Sequence, residues 1–280
     1  MIRRETIVSG KLIFRRVFGS SEKKREKTRS HRSNPTSAAV EKINRRNAER
    51  SLQVKLHANF GKGDIHAVLT YGGEAPSQED ARKELKNFLQ RLRRHFRKEG
   101  RELKWIAATE YQNHRIHHHV VLPAMDSRLL DRLWTAGHVR PTYLDGSGDY
   151  RKLAAYLIKE TDKTFREPGA SSKQRYSCSR NLTIPPVKTE TVSARELMQH
   201  PKPIKGYTVD EDSIYQGVNP VTGIPYMEYV MIATDPDPRL HIWPRGTRSK
   251  YREKYYDAVL HQIEPVQFEF NIMEQEEVDE

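Results

Sequence analysis

Apolar residues recur every three or four positions in residues 78–98, and this period is typical of an amphipathic helix. The apolar stripe comprises Ala81, Leu85, Phe88, Leu89, Leu92 and Phe96. Gly100 follows as a residue suited to end the helix. The stripe predicts that this helix covers a sheet, with a basic outer face on its opposite side.

Other segments follow the two-residue period of β-strands or are continuous apolar runs. The predicted strands are 65–71, 104–112, a run that ends at Leu122, and 138–144, where Pro141 indicates an edge strand. A helix is predicted to follow Thr36-Ser37 and to lead into an extended segment before residue 60; further helices are predicted at 127–136 and 150–160, the latter capped by Asp149. Towards the C-terminus we predict a strand within 175–186, a short helix at 193–199 and a strand at 226–233.

Asn113-His114 lies between the two central segments and suits a tight turn, because Asn tolerates positive φ. Counting outwards from this turn pairs Gln112 with Arg115, Tyr111 with Ile116, and Glu110 with His117. Side chains two apart on a strand share a face. His117 and His119 therefore point the same way as Glu110, and His118 points the other way.

Two imidazoles and a carboxylate on one face predict a divalent metal site with Glu110, His117 and His119 as ligands. Mixed nitrogen and oxygen ligation suits Mn²⁺, Mg²⁺ or Zn²⁺ and does not choose among them. The alternative is a solvated surface cluster, because short histidine motifs often arise by chance. The apolar run directly after the histidines and the glutamate in register favour the metal site.

The formal net charge is +12 and it is unevenly distributed. Residues 1–50 carry 15 Lys and Arg against 5 Asp and Glu, whereas residues 201–280 carry 8 against 15. A basic front and middle favour a polyanion such as nucleic acid as partner. We therefore interpret Arg91 and Arg94, on the basic face of the helix at 78–98, as DNA contacts, although charged faces are usually only solvated.

The single cysteine, Cys178, excludes an internal disulfide and a cysteine zinc cluster. No signal peptide and no apolar run long enough to span a membrane is apparent. We expect a protein of the bacterial cytosol or nucleoid, without a membrane partner.

Tyr156 and Lys159 are three residues apart in the predicted helix 150–160 and share a face. A tyrosine in an amphipathic helix is most often a core residue. Beside a lysine and a metal site, however, it is what a phosphoryl-transfer nucleophile requires, because a phenol with a pKa near 10 is a poor nucleophile at neutral pH.

Three motifs in this order resemble those of the HUH endonucleases, in particular the rolling-circle replication initiators (Rep proteins) of plasmids, phages and prophages. They are the strand ending Leu69-Thr70-Tyr71, then His117-x-His119 with Glu110 upstream, and then Tyr156-x-x-Lys159. The resemblance covers roughly residues 50–165. It implies an α+β fold with a central antiparallel sheet of about five strands flanked by helices, followed by a C-terminal α/β extension of unknown fold.

The resemblance also implies the chemistry. Tyr156 would attack single-stranded or extruded origin DNA, form a 5′-phosphotyrosyl bond and release a 3′-OH primer, with Mg²⁺ or Mn²⁺ as cofactor and Lys159 adding charge. Arg115 and Lys152 join the expected DNA contacts, and a host helicase and polymerase are expected partners. Two departures stand out: His118 replaces a bulky apolar residue, and Tyr150, the second choice as nucleophile, lies about 240° round the helix from Tyr156.

These inferences give a domain organisation: a basic flexible arm at 1–35, an HUH endonuclease domain at 36–165, an extension at 166–270 and an acidic tail at 271–280. A conjugative relaxase or a single-tyrosine transposase would use the same residues. Two alternatives of other classes are an origin-binding regulator that never becomes covalently attached to DNA, and a basic metalloprotein with a structural zinc.

Overall fold

Strands and helices alternate along the described part of the chain. A computed structural model describes residues 1–20, 38–112, 115–145, 150–162, 174–219 and 223–234, which belong to the unit Met1–Pro238. The elements are β1 (Ile2–Ser9), β2 (Leu12–Gly19), α1 (Ala38–Asn59), β3 (Ile65–Tyr71), α2 (Gln78–Lys98), β4 (Ile106–Gln112), β5 (Arg115–Leu122), α3 (Ser127–Leu133), β6 (Gly137–Tyr143), α4 (Arg151–Asp162), β7 (Ser177–Cys178), β8 (Val187–Val192), α5 (Arg195–Met198), β9 (Tyr207–Val218) and β10 (Pro225–Ala233). The α+β fold class is confirmed.

One five-stranded antiparallel sheet, here called the histidine sheet, has the order β6-β3-β5-β4-β7. The histidine strand β5 is central, as expected. The β4–β5 register pairs Glu110 with His117, as counting from the turn predicts. The strand β6 lies at the edge, where Pro141 is tolerated because its outer side needs no hydrogen bond donor.

Helices cover both faces of the histidine sheet. On one face α2 and α3 pack in a core that includes Phe88, Leu92 and Trp134. All six residues of the predicted apolar stripe of α2 are buried. On the other face α1 and α4 pack in a second core that includes Leu52 and Leu157. The sheet thus separates the surroundings of α2 from those of α4.

A second sheet has the order β8-β1-β2-β10-β9 and joins the two ends of the described chain. Here the prediction of a flexible arm at 1–35 is wrong for residues 2–19, which form the hairpin β1–β2. Gly10, at φ +57°, sits in the tight turn that brings Ser9 opposite Leu12. The hairpin is ordered because alternate residues bury two apolar faces, with Ile13 and Val17 on one side of β2 and Leu12 on the other.

The helix α1 lies between the two sheets. Leu52 and Leu56 face the histidine sheet, whereas Val54 packs against Leu12 and Phe14 of the second sheet. The predicted extended segment before residue 60 is wrong, because the helix continues to Asn59. A further ion pair, Arg151 Nη1 to Asp210 Oδ2 at 3.3 Å, joins α4 to β9.

The described C-terminal residues extend both sheets. The predicted strand within 175–186 is limited to β7, and the predicted helix and strand near 195 and 229 correspond to α5 and β10. The Asn113-His114 turn, the Asp149 cap, residues 21–35 of the predicted arm and the acidic tail 271–280 lie outside the described residues. None of the described helices is both long and apolar enough to cross a membrane.

Candidate active site

Three predicted ligands share the α4-facing side of the histidine sheet. Because Glu110 and His117 are paired and His119 is two residues further on β5, their side chains project from one face. Glu110 Oε2 lies 3.4 Å from His119 Nε2 and 3.9 Å from His117 Nδ1. Glu110 and His119 are buried, while the His117 side chain is 34% exposed.

The donor set fits a divalent ion in chemistry and partly in geometry. Two donors that each lie about 2.1 Å from one tetrahedral ion are about 3.4 Å apart, which is the separation of Glu110 Oε2 and His119 Nε2. As the side chains stand, no group of three His, Cys, Asp or Glu within the described ranges is arranged to hold a metal ion. Closure of the set therefore requires a rotation of the half-exposed His117 side chain.

His66 fixes the orientation of the His119 ring. Its Nε2 lies 3.3 Å from His119 Nδ1, and the two rings stack with centroids 5.5 Å apart. Burial, with a smaller effect from His119, lowers the pKa of His66 to about 4, so His66 is neutral at pH 7. A neutral His66 that accepts the Nδ1 proton of His119 leaves His119 Nε2 bare and aimed at Glu110, as a metal ligand requires.

The sequence analysis missed His66. Its alternation in Ile65–Tyr71 puts it on the same side of β3 as Val68, which pairs with His119. That alternation was a signal, but it points to the site only once β3 is known to lie beside β5.

His118 points to the opposite face, as predicted, and all of its polar atoms have partners. Tyr71 Oη donates to the Ala81 carbonyl oxygen at 3.2 Å, so His118 Nε2 donates to Tyr71 Oη at 2.8 Å. His118 Nδ1 then accepts from Thr109 Oγ1 at 2.9 Å. Burial lowers the pKa of His118 to about 3, which keeps the ring neutral. His118 links the sheet to α2 and does not compete for a metal ion on the other face.

The structure separates the two candidate nucleophiles on α4. The Tyr156 ring meets the His119 ring edge-on, with centroids 5.3 Å apart and planes at 87°, and Tyr156 is 43% exposed. Tyr150 is 4% exposed; its ring packs against His57 at 4.9 Å and its backbone N–H donates to His57 Nε2 at 3.4 Å. Tyr156 thus lies beside the histidines and reaches solvent, whereas Tyr150 belongs to the core.

Basic residues of α4 flank Tyr156. Lys152 and Lys159 are exposed, and they lie four residues before and three residues after Tyr156 on the same side of the helix. Their positive charges are therefore available to a polyanion that approaches Tyr156.

The other predicted DNA contacts are not brought to this site. Arg91 and Arg94 lie on α2, across the histidine sheet from Tyr156. Arg91 Nε donates to the Leu133 carbonyl oxygen at 2.8 Å, which fastens α2 to the end of α3. Arg115 begins β5, but its side chain lies outside what the structure describes.

An antiparallel sheet with a central His-x-His strand, an acid in register and a tyrosine helix alongside is the arrangement of a Rep-type replication initiator, a class within the HUH superfamily. Residues 65–165 match the family model of the replication-associated protein ORF2, also described as the gene II protein. This match supports a Rep-type replication initiator and a role in the initiation of DNA replication. No curated protein and no solved structure matches the chain. The matched residues run from β3 past α4, so they include the candidate site and leave the second sheet outside.

Proposed function

We propose that this protein is a metal-dependent single-strand DNA endonuclease and strand transferase that nicks and rejoins origin DNA to initiate rolling-circle replication. Tyr156 is the nucleophile. Its Oη loses a proton and bonds to the scissile phosphorus while the bond from phosphorus to the 3′ oxygen breaks. The products are a 5′-phosphotyrosyl bond and, once that oxygen takes up a proton, a 3′-OH. The reverse reaction rejoins the strand.

The contact of Tyr156 with His119 is the observation that carries this proposal. A T-shaped contact at 5.3 Å holds the phenol ring beside the His119 and Glu110 donors, on the exposed side of α4 where a DNA strand has access. A buried tyrosine, such as Tyr150, could not reach a phosphate without local unfolding.

Glu110, His117 and His119 would hold Mg²⁺ or Mn²⁺, which draws charge from the phosphoryl oxygens when bound. His66 keeps His119 in the tautomer that ligation requires.

Lys152 and Lys159 act on the phenol and on the strand. A phenol ionises with a pKa near 10, and nearby positive charge favours its anion. The same two ammonium groups attract the phosphates on either side of the scissile bond.

The test is a denaturing gel of the full-length protein incubated with Mn²⁺ and labelled single-stranded oligonucleotides from the DNA that neighbours its gene. A labelled band that migrates with the protein is expected. Tyr156→Phe should abolish this band and leave DNA binding intact, because only the hydroxyl is lost. Tyr150→Phe, the same change six residues earlier on the chain, is the matched control and should retain the band.

A covalent band of normal intensity in Tyr156→Phe would remove Tyr156 as nucleophile. Binding without a covalent band in the wild type, across several metals, would favour an origin-binding regulator; the incomplete closure of the three donors is the observation on its side. Recruitment of a host helicase and polymerase stays a prediction.

A further inference from the structure

The second sheet turns a charged surface towards the N-terminal half of α1. Residues alternate along β2, and Leu12 and Phe14 pack against Val54 of α1. Arg16 continues this alternation, so its side chain also faces the helix. Arg50 lies one turn before Val54 in α1 and faces the sheet from the other side.

Three arginines, Arg16, Arg46 and Arg50, form what we call the arginine cluster. Glu228, opposite Arg16 on β10, lies 3.4 Å from Arg16 Nε and 3.9 Å from Arg46 Nη2. Neither distance is that of a strong charge-assisted hydrogen bond, which is about 2.7–2.9 Å. Glu5, the other partner of Arg16 across the sheet, attracts Arg50 only at longer range. Three cations therefore share two carboxylates.

Arg50 has no hydrogen bond acceptor in the described part of the chain. Its Nη2 atom is buried without a partner, and so is Nε of Arg16. Burial lowers the pKa of the Arg50 guanidinium, and the neighbouring Arg16 lowers it further. Unpaired buried cations are costly, and an unsatisfied group in a native structure commonly marks a place where another species supplies the acceptor.

A cleft of about 40 Å³ opens beside the cluster. Its lining includes Arg16, Arg46, Phe18, Tyr226 and Glu228. The volume accommodates a water molecule or phosphoryl oxygens and is too small for a base. Guanidinium groups match the oxygens of a phosphate in geometry and charge.

Aromatic rings surround the cluster and hold part of it in place. The Arg46 guanidinium stacks over the Tyr215 ring at 3.1 Å, which orients its planar donors. The Arg16 guanidinium lies 4.9 Å from the centre of the Phe18 ring. An oriented set of donors loses less conformational entropy when an anion binds.

We propose that the arginine cluster is a second DNA-binding site, which takes a backbone phosphate on the second sheet. It lies on the side of α1 that faces away from the histidine sheet. The site reads no bases, because its cleft admits only phosphate oxygens, so it adds affinity without sequence preference. It goes beyond the proposed nicking reaction, since it requires neither the metal nor Tyr156.

The test measures binding without nicking. Fluorescence anisotropy follows the full-length protein with a labelled mixed-sequence oligonucleotide, single-stranded or as a duplex, in EDTA at several KCl concentrations. Arg50→Met is expected to weaken binding about tenfold and to reduce the slope of log K against log salt by about one. It should keep or raise the melting temperature, because the buried charge is removed while the aliphatic stem is retained.

Arg45→Met is the matched control. It removes one charge from the same helix, but Arg45 is 40% exposed and its Nε already donates to Glu49 at 2.9 Å. Its effect on affinity should stay below about twofold. Should Arg50→Met not fold, Arg46→Met answers the same question at the more open side of the cluster.

Weakening on single strands alone assigns the site to an unwound strand, and weakening on the duplex as well assigns it to either form of the backbone. Wild-type affinity and salt slope in both Arg50→Met and Arg46→Met would overturn the proposal and make the cluster structural. Because EDTA prevents nicking, this result is independent of the covalent band that tests the proposed function.

Discussion

At the scale of single residues, the site depends on which nitrogen of His119 is bare. His66 holds Nδ1 and leaves Nε2 for a metal ion. His66→Leu removes this acceptor, and Mn²⁺ affinity is expected to fall about 10- to 100-fold, as for other residues that orient a ligand. Isothermal titration calorimetry with MnCl₂ measures the change.

His66→Gln serves as the conservative variant, because its amide oxygen can still accept from His119 Nδ1. It should recover part of the affinity that His66→Leu loses. Equal Mn²⁺ affinity in the wild type and in His66→Leu would mean that His119 needs no such partner.

The ligand register could be predicted from sequence because it is local. Glu110 and His117 are close in the chain, and counting from one turn pairs them. His66 is 53 residues from His119 in sequence, and only the pairing of β3 with β5 brings the two rings together. A single sequence contains no information on which strands are neighbours at that distance, so this contact was missed.

At the scale of elements, β6 is placed against β3 by a glycine. A Cβ atom on Gly137 would overlap the Thr70 carbonyl oxygen and crowd the backbone at Gly72. Gly137→Ala is therefore expected to lower the free energy of unfolding by about 2–4 kcal/mol, because backbone atoms must move apart. Urea denaturation followed by circular dichroism measures this difference.

Gly72→Ala is a suitable comparison, since its Cβ would meet the nearest atom, Gly137 Cα, at an ordinary 3.7 Å. It should cost less than about 1 kcal/mol. Similar losses in both variants would show that the turn region yields to a side chain at either position.

Helix prediction succeeded or failed according to how many faces are buried. The helix α2 buries one stripe, so its bounds could be predicted from the sequence period. The helix α1 buries Leu52 and Leu56 on one side and Val54 on the other. Apolar residues at every second position resemble a strand, and this explains why its C-terminal half was predicted as extended.

At the scale of the whole molecule, the N-terminal hairpin is part of the second sheet. Deletion of residues 1–20 removes β1 and β2, two of the three inner strands. The expected result is loss of the second sheet, seen as lower β-content by circular dichroism and faster proteolysis within 187–233. Lys11→Ser, an exposed substitution at the hairpin turn, should change neither. Unchanged protease resistance after the deletion would mean that the hairpin is dispensable.

The sequence analysis misjudged this hairpin because its charges have distant partners. Arg4 donates to Glu190 and to Glu196, both at 2.9 Å, and these carboxylates come from β8 and α5. In the sequence the arginines of 1–20 stand without nearby acids apart from Glu5, and such a composition resembles a solvated arm. The fold could be predicted where pairing is local and was missed where the chain ends meet.

The meeting of the chain ends has a consequence for synthesis on the ribosome. Phe18 pairs with Tyr226, so the earliest strands to emerge cannot complete their sheet until nearly all of the described chain has been translated. The strands of the histidine sheet, by contrast, are all available once Cys178 has emerged. The nascent hairpin therefore carries an open β-edge for most of translation, which makes it a natural client for a chaperone and a hazard for aggregation if translation stalls late.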